Sequence, residues 1–156
     1  MITVAEYRGF WLGVQGLLGI NKVFMVRTIE ELQKKLRDQI GVDETVLAVV
    51  VPSSDTEGRN NFALFEKYTC VVYALRKVDI RNDDEQSMLD TMDLTENIAI
   101  KIKVELIIQA TVCESDWHHI FKEMDVNQGI HTDPEWDVMG TGCEGYSVSF
   151  MLKSAF

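Results

Sequence analysis

Three histidines lie close to cysteine and acidic side chains in one stretch of the sequence, and these are residue types that bind metal ions. The candidates are His118, His119 and His131, with suitable neighbours at Cys113, Glu114, Asp116, Asp133 and Glu135. Residues 117–126 have strand character, and adjacent side chains of a strand point to opposite faces, so His118 and His119 cannot both face one ion. Since the chain has neither an HExxH helical pair nor an HxH strand pair, we favour surface or partly buried histidines over a metal site.

Nucleophilic and phosphate-binding motifs are also absent from the sequence. No GxSxG occurs, and the most loop-like thiol is Cys143, to which His131 can contribute a base only if the fold brings the two together. Residues 52–58 follow a predicted strand but contain one glycine and no lysine, which excludes a phosphate-binding loop. Acidic pairs such as Asp83/Asp84 are expected by chance in so acidic a chain. We therefore expect no catalytic residue, no cofactor and no metal.

The three cysteines, Cys70, Cys113 and Cys143, are widely spaced and form no CxxC pair. This pattern disfavours both a structural zinc site and a disulfide framework, and it indicates buried or incidental thiols. Aromatic residues offer a different lead. Trp117, Trp136 and Tyr146 either anchor a protein interface or belong to the core of a sheet, and we favour the core for each.

Composition limits the class of protein further. The chain has 156 residues, 46% of them hydrophobic, which suits one soluble globular domain. No window approaches the roughly 18 to 20 apolar residues of a membrane span. The first 21 residues do not read as a secretory signal, so we expect an intracellular protein.

The net charge of −10 is unevenly distributed along the chain. Residues 1–78 contain 10 basic and 9 acidic side chains, whereas residues 79–156 contain 5 and 16 and carry a net charge of −11. The one basic group, Lys34, Lys35 and Arg37, is too small to neutralise many phosphates. We therefore expect no sequence-specific binding of nucleic acid, and an acidic surface in the C-terminal half.

The first half of the chain is predicted to contain two helices and then two strands, at residues 1–18, 29–40, 46–51 and 62–78. Thr3 and Thr28 each precede a glutamate by three residues, which is the capping-box pattern of a helix start. Pro52 is predicted to end the first strand, and 53–61 is predicted to be a solvated loop. We expect the second strand to be bulged near Lys67.

The second half is predicted to begin with one long helix over about 84–110. A strand is the alternative, because apolar residues alternate with others from Ile98 to Ile108, but the acidic start and the length favour a helix. A strand over 117–126, a turn at 127–129 into 130–132, a loop from Asp133-Pro134 to Gly145 and a strand over 146–152 follow. No linker or repeat divides residues 1–156, so we predict a single α+β domain, with a mixed or antiparallel sheet covered by helices.

The order of features in residues 62–152 resembles one family. The residues that carry the resemblance are Leu94 to Ala99 with Leu106, the segment 120–124, Asp133-Pro134, and the glycine-aromatic strand from Gly145 to Leu152. Together they look like the tail terminator or tail-completion (neck) proteins of bacteriophages. The polar segment 53–61 departs from this pattern.

The resemblance implies a non-enzymatic α+β subunit that assembles into a ring, often a hexamer. Such a ring caps the tail tube and meets the head-completion proteins, so the expected locations are the cytoplasm during assembly and then the virion. Two alternatives remain. One is a small metal- or thiol-dependent enzyme that uses His118, His131 or Cys143, and the other is a general α+β binding domain with an acidic recognition face.

Overall fold

A computed structural model describes residues 2–58, 64–79, 81, 84–125 and 127–155. Four α-helices, five strands and a short 3-10 helix make up the described chain. In chain order they are α1 (Val4–Leu18), β1 (Lys22–Val26), α2 (Ile29–Asp38), β2 (Thr45–Gly58), β3 (Leu64–Lys77), α3 (Glu85–Thr111), α4 (His118–Phe121), β4 (His131–Glu135), the 3-10 helix (Val138–Gly140) and β5 (Cys143–Ala155).

The strands form one mixed sheet in the order β1-β2-β3-β5-β4. β1 runs parallel to β2, because α2 connects them as a crossover, and every other pair in the sheet is antiparallel. This arrangement confirms the predicted α+β class with its mixed sheet and long helix. The predicted C-terminal strand is also confirmed, and it lies between β3 and β4.

Helices cover the two faces of the sheet unequally. On one face, α1, α3 and α4 bury the alternate residues of β2, β3 and β5, and Phe10 of α1 lies 4.5 Å from Phe121 of α4 between ring centroids. On the other face, which we call the far face, α2 and the 3-10 helix cover Val46, Ala48 and Leu75. The larger core therefore lies under α1 and α3.

The two N-terminal helices are confirmed, with small changes at their ends. Thr3 accepts the N–H of Glu6 at 3.2 Å, and the Glu6 carboxylate accepts the N–H of Thr3 at 3.0 Å, which completes the predicted capping box. α2 ends at Asp38, before the predicted stop at Gly41. Ile29, which the helical spacing predicts to be buried with Leu32 and Leu36, is exposed as the first residue of α2.

The predicted loop at 53–61 is wrong for residues 53–58, which continue β2, whereas 59–61 lie outside the described residues. Val50 pairs with Val71 and Ser53 pairs with Thr69, so Val51 and Pro52 together oppose one residue of β3. The bulge is therefore in β2, not near Lys67 in β3. A bulge tolerates proline because the extra residue needs no ladder hydrogen bond, so Pro52 bends the strand without ending it.

The long helix α3 is confirmed, and the strand alternative for 98–108 is wrong. Asp84 caps the helix by accepting the N–H of Ser87 at 2.8 Å. Ile98, Ile102 and Leu106 are buried at a spacing of four, as one face of a helix requires. The residues that produced the alternating pattern lie on the outward face of the same helix.

The predicted strand over 117–126 is also wrong. Its described residues, 117–125, form α4 and a turn, and among them only Met124 bridges to β5, opposite Leu152. Ile120 and Phe121 are buried under α1, and a helical turn delivers both to one core where a strand would separate them. The turn at 127–129 is confirmed, with Gly129 at φ 72°. Asp133 and Pro134, predicted to start a loop, lie in the edge strand β4.

Gly145 allows β5 to approach β3 closely. A Cβ atom at this position would overlap the backbone carbonyl of Ala74. Gly145→Ala should therefore lower the free energy of unfolding by about 1–3 kcal/mol, as overpacking usually does. Gly13→Ala is the matched control, since a Cβ there meets nothing within 4 Å and the change should be neutral or stabilising. Urea unfolding followed by circular dichroism compares the two variants, and equal stabilities would contradict the prediction.

An ion pair fixes the turn before β4 to β5. The Asp125 carboxylate is nearly fully buried, lies 2.9 Å from Nζ of Lys153, and accepts the N–H of Asn127 at 3.1 Å. The hydrogen bond from Lys153 holds the pKa of Asp125 below its usual range.

A lowered pKa in the folded state stabilises the protein above the pKa of the unfolded state, and this contribution is lost as the pH falls through the folded pKa. Asp125→Asn should therefore lower the unfolding midpoint at pH 7 and converge with the wild type in strong acid. Thermal unfolding at a series of pH values tests this. A deficit that stayed constant down to pH 2 would show that the carboxylate charge is not responsible.

Candidate functional site

The three histidines proposed as metal ligands do not converge. His118 Nδ1 lies 2.9 Å from the carbonyl oxygen of Gln109, and His131 Nε2 lies 2.6 Å from that of Gln128. His119 stacks on Trp117, and its Nε2 lies 3.5 Å from a carboxylate oxygen of Glu6. Within the described residues, no group of three histidine, cysteine or acidic side chains is placed to hold a metal ion.

The thiols are separated from one another and from His131. Cys70 is fully buried, and burial raises its pKa to about 12. Cys143 is also fully buried, and burial raises its pKa. His131 pairs with Ser149, six residues beyond Cys143 on β5, which is a separation of about 20 Å along an extended strand. The fold therefore does not form the Cys143–His131 pair.

A polar cavity of about 340 Å³ lies between the turn before β2, the end of β3 and the start of α3. Asp43, Asp79 and Asp90 contribute carboxylates, and Arg76 pairs with Asp43 at 3.1 Å. The guanidinium is thus already bound to a carboxylate of the same chain. An anion entering this cavity would have to compete with Asp43 and face two further acidic residues, so the cavity is a poor phosphate site.

The three aromatic candidates have different environments. Trp117 packs against Phe10 with ring centroids 6.4 Å apart, and Tyr146 packs against the same core, so both belong to the interior as predicted. The prediction that Trp136 belongs to the core is wrong, because this residue is 53% exposed where the chain leaves β4. Only this tryptophan is placed to contact another molecule.

The most unusual surface is the outward face of α3. Four aliphatic side chains at helical spacing point away from the sheet, and we call them the α3 stripe: Ile100 (50% exposed), Val104 (51%), Ile107 (49%) and Ile108 (40%). They lie opposite the buried residues Ile98, Ile102 and Leu106, so this half of the helix is apolar on two faces. The outward face of a surface helix is normally polar, because exposed apolar side chains gain nothing from contact with water. A contiguous apolar patch on such a face is typical of interaction sites.

The α3 stripe continues into a groove. Ile107 lines a cavity of about 290 Å³ with Met124, Gly129 and Ile130, and Lys103 and Asp125 form its polar edge. The groove lies where the turn before β4 passes α3. The stripe and the groove together make one apolar surface, and the only basic side chains that border it on α3 are Lys101 and Lys103.

Two residues of the α3 stripe, Ile100 and Val104, belong to the alternating pattern that suggests a strand in the sequence. The alternation of Ile98, Ile100, Ile102 and Val104 was the argument for a strand, although in a helix the same pattern places apolar residues on opposite faces. The signal for the α3 stripe was therefore present. The stripe becomes visible only when residues 98–108 are assigned to a helix, because Ile98, Ile102 and Leu106 then form the core face and the other aliphatic residues point outward.

The thiols differ enough in exposure to test this arrangement directly. Cys113 is exposed and should react with a maleimide reagent at pH 7.5 within minutes, whereas Cys70 and Cys143 should react at least tenfold more slowly because their buried thiols are protonated. Mass spectrometry of the labelled protein counts and locates the modified residues, and unfolding in urea should release all three. Rapid labelling of Cys143 in the folded protein would restore the thiol-enzyme alternative.

In the described part of the chain, no helix is both long enough and apolar enough to span a membrane. Neither a protein-family model nor any curated protein sequence matches this chain.

Proposed function

We propose that this protein is a non-enzymatic assembly subunit that acts by self-association, and that it is a ring-forming tail terminator or tail-completion subunit of a bacteriophage-type particle. The single observation that carries self-association is the α3 stripe. The particle is proposed from the resemblance in the second half of the sequence. The alternative function is a general binding domain. In that case the same surface, the α3 stripe, would contact a different protein and not a second copy of this chain.

Burying the α3 stripe in an interface would make the free energy of association more favourable. A fully buried aliphatic side chain contributes about 1.5–3 kcal/mol, so burying the exposed half of each of these four residues contributes about 1 kcal/mol apiece. These values suit an assembly that forms at the high local concentration of a growing particle.

The charge distribution supports the same proposal. The basic group Lys34, Lys35 and Arg37 lies on α2, where Lys35 pairs with Glu31 at 3.5 Å and donates to the carbonyl of Met25 at 3.3 Å. The acidic C-terminal half provides the surface on which DNA would not be retained. A ring through which DNA passes needs that property.

The enzyme alternative has less support. It requires His118, His131 or Cys143 to meet a partner group, and each of these residues is occupied by a local contact or buried. Trp136 favours the binding-domain alternative as much as the ring, because an exposed tryptophan anchors either kind of interface.

The assembly proposal predicts the behaviour of the purified protein. The wild type should form discrete oligomers in sedimentation velocity at micromolar concentrations, and Val104→Asp should be monomeric because a carboxylate at the centre of the α3 stripe cannot be buried unpaired. The exposed position of Val104 lets the variant fold normally.

Leu17→Asp is the matched control, since Leu17 is 69% exposed on α1 and lies outside the α3 stripe. This variant should assemble like the wild type. A wild type that stays monomeric at every concentration and salt tested would remove the proposed function. Equal loss of assembly in both variants would remove the role of the α3 stripe.

A further inference from the structure

The two outer strands of the sheet differ in how strongly their sequences oppose further pairing. An outer strand presents backbone N–H and C=O groups along one side, and these groups can pair with a strand of another chain. β4 contains Pro134, which has no N–H, between the carboxylates of Asp133 and Glu135, and both features oppose pairing. β1 contains neither a proline nor an acidic side chain, and four of its five residues are apolar. β1 is therefore the edge that is chemically suited to accept another strand.

The β1 edge lies away from the internal positions that the structure does not describe. The strand order places β2 between β1 and the other three strands. Residues 59–63 connect β2 to β3 well beyond the last pair between β1 and β2, which joins Val26 to Val50. Residues 80, 82 and 83 follow β3, and residue 126 follows Met124, which bridges to β5. Among the described residues, no strand other than β2 pairs with β1.

One side chain of α2 reaches the β1 edge. Gln33 donates to the carbonyl oxygen of Met139 at 3.2 Å, so its flank of α2 faces the 3-10 helix that precedes β5. Lys35 projects from the opposite flank, since successive residues of a helix are separated by about 100°. Its Nζ donates to the carbonyl oxygen of Met25 at 3.3 Å and lies 5.5 Å from the ring centroid of Phe24. Lys35 therefore covers a backbone acceptor and an aromatic side chain of β1 from the outer side of the sheet.

Glu31 holds Lys35 in this position. One carboxylate oxygen of Glu31 lies 3.5 Å from Nζ of Lys35, and the other accepts the backbone N–H of Arg27 at 2.9 Å. Arg27 directly follows β1. The hydrogen bond from this backbone N–H is the main cause of the lowered pKa of Glu31. The carboxylate therefore stays charged at neutral pH and ties Lys35 to the end of β1.

We infer that the contact of Lys35 with Met25 prevents the β1 edge from pairing with the β1 edge of a second copy of this chain. A strand that paired here would need the outward backbone groups of β1, and the ammonium already occupies one of the acceptors. The inference concerns a surface other than the α3 stripe, and it goes beyond the proposed function.

The sequence of β1 matches its own copy in an antiparallel arrangement. In a register centred on Phe24, that residue lies opposite its own copy, and Val23 lies opposite Met25. Apolar side chains then meet apolar side chains on both faces of the joined sheet, because Val23 and Met25 belong to one core and Phe24 to the other. Lys22 lies opposite Val26, so no two like charges are directly opposed. A second copy of β1 is therefore a matching partner for this edge.

The charge of Lys35 opposes the same pairing. A two-fold axis through Phe24, perpendicular to the sheet, keeps both copies of α2 on the same face of the joined sheet. Each Lys35 lies over its own Phe24, so the two ammonium groups would approach each other where the strands meet. Like charges that face each other across an interface are unfavourable. Lys35 therefore acts both by occupying a backbone acceptor and by repulsion.

Replacing Lys35 in a protein whose α3 stripe is blocked tests the inference. Every variant carries Val104→Asp, and this parent removes association through the α3 stripe from the comparison. Lys35→Met removes the ammonium but keeps a long side chain over Phe24, and it should raise the association constant about tenfold or more and give dimers in sedimentation velocity. Lys35→Arg keeps the charge and the donors and should behave like the parent. Lys34→Met, at the exposed neighbouring position, is the matched control and should also behave like the parent.

Hydrogen exchange identifies the surface that pairs. In the Lys35→Met dimer, backbone amides within residues 22–26 should exchange about tenfold more slowly than in the parent, because outward N–H groups of β1 become hydrogen-bonded to the second copy. Peptides that cover residues 100–108 should exchange at the same rate in both proteins. Peptide-level mass spectrometry measures the two regions in one experiment.

Lys35→Ala is a second variant that removes the contact and favours a helix, so it should associate like Lys35→Met. If both variants are folded by circular dichroism and stay monomeric, the inference is overturned. Dimers in which residues 22–26 exchange at the rate of the parent would also overturn it, as would equal association of Lys35→Met and Lys35→Arg. These comparisons do not use the oligomeric state of the wild type, so a monomeric wild type would remove the proposed function and leave this test readable.

Discussion

The pairing of β5 with β3 is the interaction on which the other parts of the structure depend. It runs from Cys143 opposite Lys77 to Ala155 opposite Phe65, along all of β5 and nearly all of β3. One side of β5 supplies Val148, Phe150 and Leu152 to the core under α1 and α3, and the other side supplies Cys143 to the core under α2. Without β5, β4 would have no neighbour, and the turn at Asp125 would lose the backbone to which it is tied.

Local signals in the sequence predicted the elements whose stability is local. The capping residues Thr3, Thr28 and Asp84 fix where the first three helices begin, because the side chain and the N–H that it binds are three residues apart. The alternation in β5 was readable because one side of the strand is buried more deeply than the other. In each case the pattern needed no knowledge of what packs against it.

The elements that sequence reasoning missed depend on distant residues. Pro52 reads as a strand end, and it is tolerated only because β3 supplies a partner on both sides of the bulge. Residues 117–126 have strand composition, but Ile120 and Phe121 fill a space under α1 that a helical turn fits. β4 is short and contains a proline, and it is a strand because β5 offers an open edge. When the residues that pack against a segment are distant in the sequence, tertiary packing overrides the segment's intrinsic helix or strand propensity.

The candidate site was hidden for a related reason. A search for histidines, thiols and glycine loops finds chemistry, whereas an assembly surface consists of ordinary aliphatic residues in an unexpected place. Once α3 is known to be a helix, Ile98, Ile102 and Leu106 account for its core face, and Ile100 and Val104 remain unexplained.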